Sequence, residues 1–412
     1  MPKIRVKNFG PIKNGFSSKN GFMDIERVTV FIGDQGTGKS SVAKLISTLS
    51  WIEKALVRRD VKESEVTRKG NFENKFCAYQ NIKNYFDKAG KTEIDYEGKA
   101  YSFSYRDKVF KVSEKPTNGF LIPKIMYVPA ERNFVSAVDT PSSLKKLPST
   151  LYTFLDEFEN AKQNLREGLK LPISNVTFEY DRLNKLSHIK GNGFRVRLSE
   201  ASSGFQSFVP LFLVTRYLAQ SINQENDNSR SELSVDEERR IRREIKKILS
   251  NKNLSEEIKN AALEILSTRF KNACFLNIVE EIEQNLFPTS QRKVLNSLLN
   301  YANLTRGNTL ILTTHSPYII NYLTIAIKGN SVLEEIEKSI SSKDLKSKLN
   351  EIVPIDSCIA SKDVVIYELS NQGEIKKLKD YQGIPSDNNY LNQILAETNQ
   401  LFDALLEIEE SL

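Results

Sequence analysis

Gly33-Asp-Gln-Gly-Thr-Gly-Lys-Ser-Ser41 decides how the rest of the chain is read. It is a full match to the phosphate loop G-x-x-x-x-G-K-[ST]. Glycine lets successive backbone N–H groups curl round a phosphate, and the helix start that follows adds partial positive charge. The flanks supply the context such a loop needs. Upstream, Val28-Thr-Val-Phe-Ile32 is an apolar, β-rich run suited to a buried strand. Downstream, Ser40-Ser-Val-Ala-Lys-Leu-Ile46 carries apolar residues at helical spacing and opens on a cap-type residue. The pattern assigns a nucleoside triphosphate with Mg²⁺ to Gly33, Asp34, Gln35, Gly36, Thr37, Gly38, Lys39, Ser40 and Ser41. Lys39 is expected to reach the β- and γ-phosphates, and the Ser40 hydroxyl to ligate Mg²⁺. The plain alternative is a glycine-rich turn between a strand and a helix, and the loop alone does not say which P-loop protein this is.

The rest of the chain narrows the class. Its 412 residues allow one large or two ordinary domains. Hydrophobic content of 39% and charged content of 27% are those of a soluble globular protein. No apolar run approaches the ~18 residues of a membrane span, and Met1-Pro-Lys-Ile-Arg-Val-Lys7 lacks a signal-peptide core. Cys77, Cys274 and Cys358 stand far apart, which suits a reducing cytosol and offers neither a disulfide framework nor a zinc site. A net charge of +7 permits a polyanion partner without demanding one.

Along the chain, residues 3–32 read as β-structure, and a helix follows the loop to about Arg59. Thr92–Tyr96, Ala100–Tyr105 and Val109–Val112 alternate polar and apolar residues, the pattern of a β-meander with one solvated face. Lys124–Val128 is a further buried-strand candidate, 150–170 a helix, and Val176–Leu198 a hairpin turning at Gly191-Asn-Gly193. The charged segment 221–272 has a helical pattern, with basic residues covering most of Arg239–Leu249.

Three further constellations carry chemistry. Ala201-Ser-Ser-Gly-Phe-Gln206 precedes an apolar helix and makes a second anion-binding end, or an ordinary helix cap. Phe275-Leu-Asn-Ile-Val-Glu-Glu-Ile-Glu283 is an apolar strand ending in adjacent carboxylates. A metal-associated Glu280 beside a water-activating Glu281 is what triphosphate hydrolysis needs. Thr309-Leu-Ile-Leu-Thr-Thr-His-Ser-Pro317 is another buried strand, ending at His315, whose side chain can face a γ-phosphate. The other histidine, His188, reads as surface. No N-K-x-D tetrapeptide occurs, which favours ATP over GTP.

Taken in order, these pieces resemble an ABC-type ATPase head: Walker A at 33–40, a signature-like Ser202-Ser-Gly-Phe-Gln206, Walker B at 275–281 and switch His315. Ile4-Arg-Val-Lys-Asn-Phe-Gly-Pro-Ile12, Val128-Pro-Ala-Glu-Arg-Asn133, Glu280-Glu-Ile-Glu-Gln-Asn-Leu-Phe-Pro288 and Thr313-Thr-His-Ser-Pro317 are similar to motifs of the SMC/RecF/OLD-like branch. Glu280 stands where many such ATPases have Asp, Ile282 replaces a usual proline, and Phe205 replaces the second signature glycine.

The resemblance implies an α/β head over 1–330: a mixed sheet with flanking helices, an antiparallel β-subdomain near 90–115, and helical insertions near 134–172 and 221–272. Residues 331–412 would form a hairpin and an amphipathic helix open to partner or oligomer contact. It also implies that Lys39, Glu281 and His315 act catalytically, with Mg²⁺ on Ser40 and Glu280. Ser203, Gly204 and Gln206 would serve the ATP of a second copy in a head-to-head sandwich. The compact head resembles the ATPases of bacterial phage-defence systems such as PARIS and Septu, in which a separately encoded effector, expected to be a nuclease, acts downstream. A RecF-like DNA-binding repair ATPase is the other reading, carried by the basic face at Arg239, Arg240 and Arg243. The expected setting is cytoplasmic, with no membrane partner and no nuclease within the chain.

Overall fold

The apolar runs at 28–32, 124–128, 275–279 and 309–314 become strands of one sheet, as continuous hydrophobic stretches should when both faces are covered. The structure is a computed structural model that describes residues 1–116, 119–138, 147–224, 272–338 and 342–410, with 243 and 245. It opens with β1 (Lys3–Lys7), β2 (Gly15–Phe16), β3 (Met23–Asp24) and β4 (Val28–Gly33), then α1 (Lys39–Val57). Next come β5 (Glu93–Glu97), β6 (Tyr101–Arg106), β7 (Val109–Glu114), β8 (Pro123–Val128) and α2 (Ser149–Asn164). Strands β9 (Leu169–Lys170), β10 (Thr177–Asp181), β11 (Leu186–Gly191) and β12 (Phe194–Arg197) lead to α3 (Ser203–Gln224). Then follow β13 (Cys274–Val279), α4 (Pro288–Asn303), β14 (Thr309–Thr314), α5 (Pro317–Ile336) and α6 (Ser342–Ile352). The described chain ends with β15 (Val364–Leu369), β16 (Glu374–Lys377), the two-residue pair β17 (Asp380–Tyr381) and β18 (Ile384–Pro385), and α7 (Tyr390–Glu410). None of the described helices is long and apolar enough to cross a membrane.

The central sheet has the order β2-β16-β15-β4-β14-β13-β8. From β15 to β8 every neighbouring pair is parallel, and β16 turns back antiparallel on β15. The chain beyond 330 thus supplies the antiparallel pair β15–β16, with β15 inside the sheet beside the phosphate-loop strand. Alternate residues of β4 feed two cores, as a two-residue strand period requires. Val28, Val30 and Ile32 pack with α3, α4 and α5, whereas Phe31 packs with Val42, Leu45 and Leu49 of α1.

A second, antiparallel sheet has the order β3-β1-β5-β6-β7, so the subdomain expected near 90–115 also recruits the chain's first strands. It is clamped to α1 by one buried carboxylate. Glu53 Oε1 accepts the amides of Ala100 (2.7 Å) and Tyr101 (3.2 Å), and its Oε2 accepts the Tyr96 hydroxyl (3.4 Å). Burial raises the Glu53 carboxyl above its ordinary range despite these bonds. Its protonation-linked contribution to stability is thus lost as pH rises through that raised value.

Several local readings are corrected. The expected hairpin at 176–198 is a meander: β10 turns into β11 at 182–185, and β11 turns into β12 at Gly191-Asn-Gly193. Its first turn lacks a glycine pair and is closed by Asp181, whose carboxylate accepts the amides of Leu183 and Asn184. His188 is buried on β11 rather than superficial, flanked in register by Glu179 and Arg197 on the neighbouring strands. The helix expected over 150–170 stops at Asn164, where Leu165 turns extended. Arg239 and Arg240, and nearly all of the expected insertion at 221–272, lie outside the described residues.

Glu53→Ala leaves the amides of Ala100 and Tyr101 without their acceptor and is expected to destabilise the chain by about 2–3 kcal/mol. Urea unfolding checks this, and Glu53→Gln should recover at least half of the loss.

Candidate functional site

Because β15, β4, β14, β13 and β8 run in parallel, their carboxyl ends lie on one rim. Gly33, Glu280, His315 and Pro129 each stand at or just past such an end. The loop after β4 winds through three left-handed glycines, Gly33 (φ 141°), Gly36 (φ 76°) and Gly38 (φ 102°). A Cβ at Gly33 would meet the Leu369 carbonyl oxygen at 2.3 Å, and one at Gly38 would meet Ile12 at 2.9 Å. Gly38, not Ser40, is the N-cap of α1, because the loop must be left-handed there; no side chain caps the helix. Its first amides accordingly have no partner within the helix.

Lys39 is buried and donates to the carbonyls of Gly33 (2.9 Å) and Asp34 (2.7 Å), and toward His315 Nδ1 (3.3 Å). Burial pulls its ammonium down to about 8, against the opposing pull of Glu283, Glu281 and Asp34. On the other side of the ring, His315 Nε2 lies 3.7 Å from Glu281 Oε1. Lys39, His315 and Glu281 thus stand in a chain although they come from three separate strand ends. His315 beside it is the largest cause holding the Glu281 carboxyl below its ordinary range.

Glu281 has a left-handed backbone (φ 43°), uncommon for a side chain of this size. Two neighbours impose it. Thr313 Oγ1 accepts its amide (3.1 Å), and Arg132 Nη2 donates to its carbonyl (2.7 Å). Fully buried Arg132 also donates to the Glu280 carbonyl (2.7 Å). The Glu280 carboxylate is buried, and its Oε2 accepts the Ala130 amide (3.2 Å). Its Oε1 has no hydrogen-bond partner and lies 3.8 Å from Lys44 Nζ. Lys44 is one helical turn beyond Ser40, so Glu280 and the Ser40 hydroxyl serve the same face of α1.

The signature-like segment starts α3, with Ser203 exposed and Gly204 half-buried. A Cβ on Gly204 would meet the Asn285 carbonyl oxygen at 2.9 Å, and Ser207 Oγ donates to Gln284 Oε1 (3.1 Å). This helix start therefore leans on the acidic turn of its own chain. Gln206 is spent locally: its amide donates to the carbonyls of Ser199 (2.9 Å) and Ala201 (3.0 Å).

Three residues that positional reading passed over complete the rim. Glu283 Oε1 accepts the His315 amide (2.6 Å) and Oε2 the Thr314 hydroxyl (2.8 Å), fixing the histidine turn. Asn371 and Tyr390 donate to the Asp34 carboxylate (3.3 and 3.4 Å). Only Glu283 left a sequence signal, as the third carboxylate of Glu280-Glu-Ile-Glu283.

The residues fit a triphosphate with Mg²⁺ on two counts: the uncapped, glycine-shaped helix start suits phosphate oxygens, and the buried Glu280 oxygen that lacks a hydrogen-bond partner suits a cation. No protein-family model and no curated protein matches the chain. Among solved structures, it is similar to an SMC head domain from Thermotoga maritima at 11% identity and a TM-score of 0.33, over 78% of this chain and 90% of that one. An SMC head bound to the C-terminal winged-helix domain of ScpA matches at 9% identity and a TM-score of 0.36, over 91% and 96% of the two chains. The dimeric MJ0796, a bacterial ABC transporter cassette, matches at 12% and 0.24, over 92% and 100%. Likeness of this size assigns neither family nor activity.

Arg132→Ala leaves two buried carbonyls unpaired and is expected to cost about 3 kcal/mol in urea unfolding. Arg132→Lys should recover little, since an ammonium cannot reproduce the two-carbonyl fork.

Proposed function

We propose that the chain is an ATPase head that binds ATP and Mg²⁺ at the phosphate loop and hydrolyses ATP slowly. The observation that carries this reading is the Lys39–His315–Glu281 chain at the rim, closed by the 3.7 Å approach of His315 to Glu281. When bound, ATP with Mg²⁺ supplies the electrophilic phosphorus and the neutralisation of its leaving group. Amides of the loop and of the α1 start bind the phosphates. Lys39 exchanges its two carbonyl partners for phosphate oxygens, and Ser40 and Glu280 hold the cation. Glu281 accepts the proton of the attacking water, while His315, oriented by Glu283, donates from Nε2. A second copy would add Ser203 and Gly204, so that ATP closes a head-to-head dimer. In this reading, closure controls a separately encoded effector, a nuclease, in bacterial phage defence.

Glu281→Gln is expected to lower phosphate release by 10²- to 10³-fold while retaining ATP binding; equal, background-level rates in both proteins would sink the enzymatic claim. The depressed Lys39 pKa sets a second expectation. A phosphate ligand favours the charged lysine, so ATP affinity should be level below about pH 8 and fall by up to ~10-fold per pH unit above it. Fluorescent-nucleotide titration from pH 6.5 to 9.5 reads this limb, and Lys39→Arg should abolish it. Effector control is tested by co-expressing the chain with the adjacent reading frame under phage challenge, where Lys39→Ala should lose protection.

A further inference from the structure

Helix α7 carries a bare apolar seam away from the head. Leu391, Ile394, Thr398, Leu401, Leu405 and Ile408 follow one another at alternating steps of three and four residues. That spacing fits the heptad of paired helices, with Leu395 and Leu406 beside the row. Leu391 is buried against the head, but the seam is open from Ile394 onward: Leu401 and Leu405 are each 63% exposed and Ile408 is 60% exposed. Phe402, at 61%, widens the strip. Apolar residues scattered singly over a surface need no explanation; an aligned row does.

We propose that this seam pairs with the same seam of a second copy, a short two-helix coiled coil that joins two chains without nucleotide. Two such strips offer on the order of 1,000 Å² of buried surface, the threshold for a specific interface. Charge is compatible with the same occupant and tells it apart from others. Every charged residue of α7 is acidic: Glu397, Asp403, Glu407, Glu409 and Glu410. The heptad places Asp403, Glu407 and Glu410 away from the seam and leaves only Glu397 and Glu409 beside it. Self-pairing therefore meets weak repulsion, which salt screens. A partner with a basic rim would instead be held by those carboxylates and released by salt.

The helix is rooted at the candidate site: the Tyr390 amide donates to Glu368 Oε1 (2.8 Å) at the end of β15, and its hydroxyl to Asp34 of the phosphate loop (3.4 Å). Pairing through α7 thus tethers two phosphate loops. If the chain is an ATPase head, closure becomes intramolecular, at an effective concentration of about millimolar. That consequence rests on the proposed function; the pairing does not.

Sedimentation velocity of the full chain without nucleotide tests it, at about 100 and 500 mM salt. The wild type and Lys39→Ala should both be dimers at low micromolar concentration, tighter at the higher salt. Leu401→Asp with Leu405→Asp should weaken the dimer at least tenfold with an unchanged circular dichroism spectrum; the corresponding Gln pair is read if the Asp pair disturbs folding. A wild type that stays monomeric at tens of micromolar, a dimer indifferent to both double substitutions, or one weakened by salt overturns the proposal. Loss of ATP binding in a chain that still dimerises strikes the ATPase reading alone.

Discussion

Everything at the rim depends on parallel pairing of β4, β14, β13 and β8. Thr314 pairs with Ile32 and Val279 with both Leu312 and Val128, so Glu280 and Pro129 emerge level with each other while Gly33 and His315 stand together two residues further along. A one-residue slip in a sheet sends side chains to the opposite face. Here it would part His315 from Lys39 and Glu281, and Arg132 from the two carbonyls it holds. The register is secured by burial: β4, β13 and β14 are buried along nearly their whole length, so each residue has a core to fill and no tolerance for shift.

Within that frame the costly features support one another. Lys39 is a buried cation, and burial of a charge is tolerated only when partners surround it. Two loop carbonyls and the imidazole provide them, while Glu281 and Glu283 add attraction from the same rim. Glu281 carries a left-handed backbone that no local residue favours, and Arg132 and Thr313 hold it from two other segments. Strain that persists under such bracing is typical of sites where a side chain must be aimed rather than merely packed. The bracing side chains come from outside the motif, so the acidic dipeptide alone does not specify its geometry.

That division also explains what was legible in the sequence. The strand–loop–helix around Gly33–Ser41 could be read because its glycines and apolar runs are local signals; the antiparallel sheet followed from patterning, and the mixed sheet from the resemblance. The segments bearing Lys39, Glu281 and His315 could be named for the same reason. Arg132 was visible only through a resemblance, and its task of holding the Glu280 and Glu281 carbonyls was not. Asn371 and Tyr390 left no signal at all, because their role exists only once β15 lies beside β4. Gln206, attractive by position, turned out to be spent on its own loop, a competition between side chain and backbone that spacing cannot reveal.

The placement of β15 also bears on how the site communicates. Asp34 sits at the crossing of two segments far apart in sequence, the phosphate loop and the start of α7, and its carboxylate accepts from both Asn371 and Tyr390. A ligand that draws Lys39 off the Gly33 and Asp34 carbonyls changes the backbone to which that carboxylate belongs. Asp34 also accepts from Tyr390, whose amide is fixed to Glu368. The helix beyond is a single rod of 21 residues, and a rod amplifies a small rotation at its root into displacement at its tip. Two hydrogen bonds and one helix thus connect the phosphate loop to the exposed end of α7.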